Sequence, residues 1–92
     1  MVEKKIGEFN EDEKIQGFFL VKSVAVKTAA NNNKYIDFTL ADQTGEINAK
    51  LWDYHDGDEE KYTDCMLVKV RGVVTSWQSK LQLRIEKIRN VT

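Results

Sequence analysis

The chain has 92 residues, 41% of them hydrophobic and 32% charged, with a net charge of −1. That length builds one domain with a modest core, and the apolar content excludes a disordered chain. No apolar run approaches membrane-spanning length, no signal-peptide core follows Met1, and Cys65 is the single cysteine, so a cytoplasmic protein with no membrane partner and no intrachain disulfide is expected.

Residues 1–13 read as an acidic N-terminal leader, and residues 14–92 as the folded domain. The first strand runs from Lys14 to about Thr28 and is long enough to bend. Gly17 and the Phe18-Phe19 doublet interrupt its alternation, as a bulge or a strand serving both edges of a barrel would. A polar loop, Thr28 to Asn33, follows, with asparagines that tolerate left-handed backbone. Lys34 to Trp52 then reads as two period-2 strands joined by an Asp-Gln-Thr-Gly turn. Ile36, Phe38 and Leu40, then Ile47, Ala49 and Leu51, face inward. Residues 53–64 are acidic, without strand alternation, and suit a short helix around Asp58 to Tyr62. Met66 to Thr75 forms the fourth strand, with Val68 and Val70 opposed to Lys69 and Arg71. Ser76 to Ser79 is a turn with Trp77 at its tip, and Leu81 to Val91 closes the set, with Leu81, Leu83 and Ile85 opposed to Gln82, Arg84 and Glu86. The core is expected to hold Phe18, Phe19, Ile36, Phe38, Leu40, Ile47, Leu51, Val68, Val70, Leu83 and Ile85.

Five strands, the first long and bent, with a helical or irregular segment between the third and fourth, match an all-β, five-stranded Greek-key barrel, the OB-fold. An SH3-like barrel competes, but it gives no reason for a helical insert at that point. The OB-fold binds ligands on its second and third strands and on the loops joining strands one and two and strands four and five.

Charge is unevenly spread. Residues 1–13 carry −3 and residues 53–64 carry −5, whereas residues 14–52 carry +2 and residues 65–92 carry +5. The cations therefore sit on the predicted strands, and the small total conceals a local positive field. Tyr35, Asn48, Lys50 and Trp52 share the outward face of the second and third strands, a mixture suited to stacking bases and neutralising phosphates, although Trp52 is large enough to cover the barrel's end or pack under the acidic segment instead. Trp77 lies in the loop between strands four and five, with little apolar company, as a base platform would. Lys50, Lys69, Arg71 and Arg84 alternate away from the core, and Lys34 and Lys80 flank the two binding loops, as phosphate contacts. Asn48 and the loop residues Asn31 to Asn33 offer hydrogen bonds to bases or sugars, while Asp37, on the same face, repels phosphate.

The segments GFFLVKSVAVKTA, YIDFTLADQTGEINAKLWD and VKVRGVV, with the opening IGEF, resemble the N-terminal OB domain of the YhaM-type 3′–5′ exoribonucleases, also called CMP-binding factors. The D-x-x-G turn is also similar to that of the anticodon-binding domains of aminoacyl-tRNA synthetases. The resemblance implies a domain that helps hold RNA ahead of a metal-dependent HD-type nuclease domain, which residues 1–92 do not contain. The dipeptide His55-Asp56 is read as chance, because the chain has one histidine and an HD site needs several ligands. Cys65 with His55 is likewise too small a set for zinc, so neither catalytic residue, metal nor cofactor is expected.

The leading expectation is a non-catalytic module that binds single-stranded RNA or DNA. The competing expectation is a protein-interaction domain that docks on a nuclease domain or pairs with itself as a homo-oligomer, which the acidic segment 53–64 favours. An enzyme in its own right is disfavoured: the chain has no clustered nucleophile and base and no phosphate-binding glycine loop.

Overall fold

The computed structural model describes residues 2–3 (backbone only), 5–52, 57 and 62–91. Its strands are β1 (Val2–Glu3), β2 (Lys14–Thr28), β3 (Lys34–Asp42), β4 (Gly45–Leu51), β5 (Leu67–Trp77) and β6 (Lys80–Asn90), with a 3-10 turn at Ile6–Glu8. The strands β2 to β6 close a barrel in the order β2-β3-β4-β6-β5, and β5 returns to β2. All of its pairings are antiparallel except β4 with β6. This is the five-stranded OB barrel expected from the sequence, with β1 added in parallel beside Ile15 and Gln16.

Closure rests on β2. Its first half pairs with β5, from Lys14 opposite Val73 to Leu20 opposite Leu67, and its second half pairs with β3, from Leu20 opposite Ala41 to Thr28 opposite Lys34. The single strand thus serves two walls of the barrel, as its length predicts. The irregularity, however, lies between Val21 and Ser23, not at Gly17 or the phenylalanine doublet. Lys14 to Leu20 keep unbroken register with β5, so alternation sends Phe19 inward and Phe18 out, 52% exposed. The expectation that both phenylalanines are buried is corrected accordingly.

The other expected core residues, Ile36, Phe38, Leu40, Ile47, Leu51, Val68, Val70, Leu83 and Ile85, are buried. Leu81 is 39% exposed because it stands at the first turn of β6, beyond the closed part of the barrel. Among the described residues, three core members come from outside the barrel strands: Ile6 and Phe9 from the leader, and Tyr62 from the connection before β5. Phe9 meets Phe19 edge-on at 6.1 Å, and Tyr62 meets Phe38 edge-on at 5.3 Å. Most of the helix expected at Asp58 to Tyr62 lies outside the described residues, and Tyr62 itself is buried without strand or helix structure.

The leader is fastened to the β3–β4 turn. The Ile6 N–H donates to Asp42 Oδ2 at 2.7 Å, and the Gly7 N–H donates to Thr44 Oγ1 at 2.8 Å. The other Asp42 oxygen, Oδ1, accepts from the Thr44 N–H at 2.7 Å and the Thr44 hydroxyl at 2.6 Å. Burial pushes the Asp42 carboxyl up. The bonds from the Thr44 hydroxyl and from the Ile6, Thr44 and Gly45 backbone outweigh it and hold the group below its usual value.

Candidate nucleic-acid interface

Strand register assembles a polar outer wall from residues far apart in sequence. Asp37 on β3 stands opposite Lys50 on β4, which stands beside Arg84 on β6. In the next row Thr39, Asn48, Gln82 and Thr75 follow one another across β3, β4, β6 and β5. Tyr35 and Trp52 end the wall on the side of the Ala29–Asn33 loop, their rings 4.4 Å apart and tilted by 37°. Trp52 lies one residue beyond β4, still 48% exposed, so it packs on Tyr35 and keeps surface for a ligand. The Lys50 ammonium sits 5.8 Å from the Tyr35 ring centroid.

The Asp37 carboxylate is less hostile to phosphate than its position suggests. Its side chain is only 11% exposed, with Lys27 Nζ at 2.7 Å and Lys50 Nζ at 3.9 Å. The Asn48 amide donates to Asp37 and, at 3.2 Å, to the Phe38 carbonyl, while its own oxygen accepts from Lys50 at 2.7 Å. The result is a fixed network in which Asp37 is neutralised and the Lys50 head is oriented. The hydrogen bond and charge of Asp37 also raise the Lys27 ammonium above its ordinary value.

Two grooves lie over the β4–β6 seam and share Gln82. The first, about 370 Å³, runs between Trp52 and Trp77 and is lined by Lys50, Thr75, Ser76 and Arg84. The second, about 470 Å³, continues past Asn48 and Lys80 to the Ile6-Gly7 turn and Thr44. Together they form one trough. Among the described residues, no cluster of three or more His, Cys, Asp or Glu has the arrangement to hold a metal ion.

Trp77 is not at the tip of a four-residue turn. Strand β5 runs through it, and the hairpin is closed by Gln78 and Ser79 alone, with φ of 49° and 66°. Positive φ at both positions is the turn geometry that matches strand twist. It places Trp77 opposite Lys80 at the strand end, 62% exposed.

Of the residues expected at the site, the structure brings Tyr35, Asn48, Lys50, Trp52, Trp77, Lys80 and Arg84 to this wall, whereas Lys34, the first residue of β3, lines neither groove. Lys69 and Arg71 are elsewhere. They project from β5 opposite Phe18 and Gln16, on a wall bounded by β2 and the end of β6. The Asn31 side-chain oxygen is taken by the Asn33 N–H at 3.1 Å, so it shapes the loop. Sequence reasoning missed Lys27, Thr75 and Ser76. Parity along the fourth strand marks Thr75 as outward; nothing local marks Lys27, whose role depends on pairing with β3.

A barrel of this topology with a polar, aromatic-flanked trough defines a class, and a family model described as an OB-fold nucleic acid binding domain matches residues 20–91; the chain belongs to that family. It is 34% identical over 91 residues, 99% of its length, to the 3′-5′ exoribonuclease YhaM of Listeria monocytogenes, and spans 29% of that protein. A crystal structure of a domain of replication protein A from Methanococcus maripaludis superposes with a TM-score of 0.79 at 20% identity, over 99% of this chain and 96% of that one. The mitochondrial single-stranded DNA binding protein Rim1 of S. cerevisiae superposes with a TM-score of 0.69 at 20% identity, over 90% and 98% of the two chains. At that identity the two structures speak for the fold.

Proposed function

We propose that this domain binds single-stranded RNA in the trough over the β4–β6 seam, as the RNA-holding part of a cytoplasmic 3′–5′ exoribonuclease. The observation that carries the reading is the pair of exposed tryptophans, Trp52 and Trp77, on either side of a groove whose floor holds Lys50 and Arg84. Aromatic faces take bases of any sequence, and the cations between them neutralise the phosphates that join those bases. A duplex presents no free base faces and binds poorly. The likeness to an exoribonuclease along 99% of the chain supports RNA as the ligand, and the shared barrel of a single-stranded DNA binding protein supports a single strand.

The test is tryptophan fluorescence during titration with short single-stranded oligoribonucleotides at low and moderate salt. Wild type is expected to show salt-sensitive quenching. Trp77→Ala is expected to bind five- to roughly 150-fold more weakly, the equivalent of about 1–3 kcal/mol for one stacked base. No quenching at low salt, or equal affinity for wild type and variant, would reject the trough as the RNA site.

A further inference from the structure

The barrel carries a second surface on the wall that Lys69 and Arg71 occupy. In register, Lys69 on β5 stands opposite Arg89 on β6, and Arg71 stands opposite Lys87. Like charges directly opposed across strands destabilise a sheet, so fold stability gives no reason for two such pairs in succession. Among the described residues one carboxylate, Glu86, answers them, with Oε1 3.9 Å from Arg71 Nε, and there that buried nitrogen has no hydrogen-bond partner. Immediately beside the cations, Phe18, Leu20 and Leu67 are 52%, 40% and 41% exposed. Leu20 pairs with Leu67 and Phe18 with Lys69, so the three apolar side chains adjoin one another and the cationic square.

We infer that this wall is a docking surface for an acidic, amphipathic segment of a partner protein, its carboxylates on the four cations and its apolar side chains on Phe18, Leu20 and Leu67. Charge complementarity selects an acidic occupant. The apolar trio selects a polypeptide over nucleic acid: leucines give no flat platform for bases, and the Lys69 ammonium already lies 5.6 Å from the Phe18 ring centroid. Closure of the barrel also leaves β2 and β5 paired to each other here, so recognition runs through side chains.

The experiment follows backbone amide shifts of the 15N-labelled 92-residue chain. Three probes are compared: a synthetic peptide of Asp and Glu with Leu and Phe at helical spacing, a peptide of equal charge with those apolar residues replaced by Ser, and oligouridylate. The amphipathic peptide is expected to shift residues 18–20, 67–71 and 87–89, at least fivefold more tightly than the serine peptide and equally well when oligouridylate is present. Phe18→Ser and Lys69→Gln, both at solvent-facing positions, should each weaken it about tenfold and leave oligouridylate affinity unchanged. Equal binding of the two peptides, or no shifts, overturns the inference. Shifts at these amides with oligouridylate would make the wall nucleic-acid surface, and shifts on raising protein concentration alone would make it a contact between copies; either result also overturns it.

Discussion

Replacing Gly72 by alanine tests the tightest backbone approach in the barrel and its link to the trough. Gly72 is buried where β5 faces the irregularity in β6: Arg71 pairs with Lys87 and Gly72 with Ile85, which leaves Glu86 unpaired. A Cβ on Gly72 would stand 2.3 Å from the Arg84 carbonyl oxygen and 3.1 Å from its carbon. An ordinary contact begins near 3.4 Å, so β6 would have to retreat by about 1 Å in a close-packed wall. Overpacking of this kind costs about 1–3 kcal/mol, and stretching one or two ladder hydrogen bonds adds about 1 kcal/mol. Restricting the unfolded chain returns about 0.4–1 kcal/mol. The net expectation is a loss of about 2–3 kcal/mol, or roughly 10–20 °C in Tm for a domain of this size. Urea and thermal unfolding followed by far-ultraviolet circular dichroism read it directly. The sign is diagnostic, because alanine in an uncrowded strand would stabilise. A Gly72→Ala protein as stable as wild type would refute the close approach. Because the displaced carbonyl belongs to Arg84, the folded variant should also bind oligoribonucleotide more weakly.

Three further outcomes are expected. Asp42 has its carboxyl held low, so its contribution is complete above about pH 4, the unfolded value, and is lost as pH falls through the folded value; Asp42→Asn should cost about 1–2 kcal/mol at pH 7, and a wild-type advantage in urea titrations that did not shrink as pH fell below about 4 would contradict this. Gln78→Asn with Ser79→Gly should stabilise the hairpin by about 1 kcal/mol, since both residues hold positive φ that Asn-Gly adopts at less strain; an unchanged or lower Tm would show that the turn is unstrained. Lys50→Gln should lower RNA affinity and reduce the slope of log K against log salt by about 0.7, one phosphate contact to a single strand, whereas an unaltered slope would place Lys50 outside the contact.

Much of the barrel was legible because its strands obey period 2. The first strand was bounded correctly from branched and aromatic content, and Ile36 through Leu51 alternated cleanly enough to fix inside and outside. Phe18 and Phe19 defeated the same logic: two adjacent apolar residues suggest a bulge, but pairing with β5 simply leaves one outside. Ile6, Phe9 and Tyr62 were invisible as core because they plug the barrel from segments without period. At the trough, alternation found Asn48, Lys50 and Arg84. Separating Lys69 and Arg71 from them required the order of strands around the barrel, and the neutralisation of Asp37 by Lys27 required the shifted register beyond Val21.

The long strand that belongs to two walls has a consequence for how the molecule behaves when crowded. By turning from one neighbour to the other, β2 leaves the sheet nearly without a border, and what remains on its flank is a stub of two residues. An open border is a template on which a foreign strand grows by main-chain pairing, and fibrils start there. Among the described residues the cylinder is closed but for that stub and offers little such template, so at high concentration this domain should stay dispersed until something opens β2.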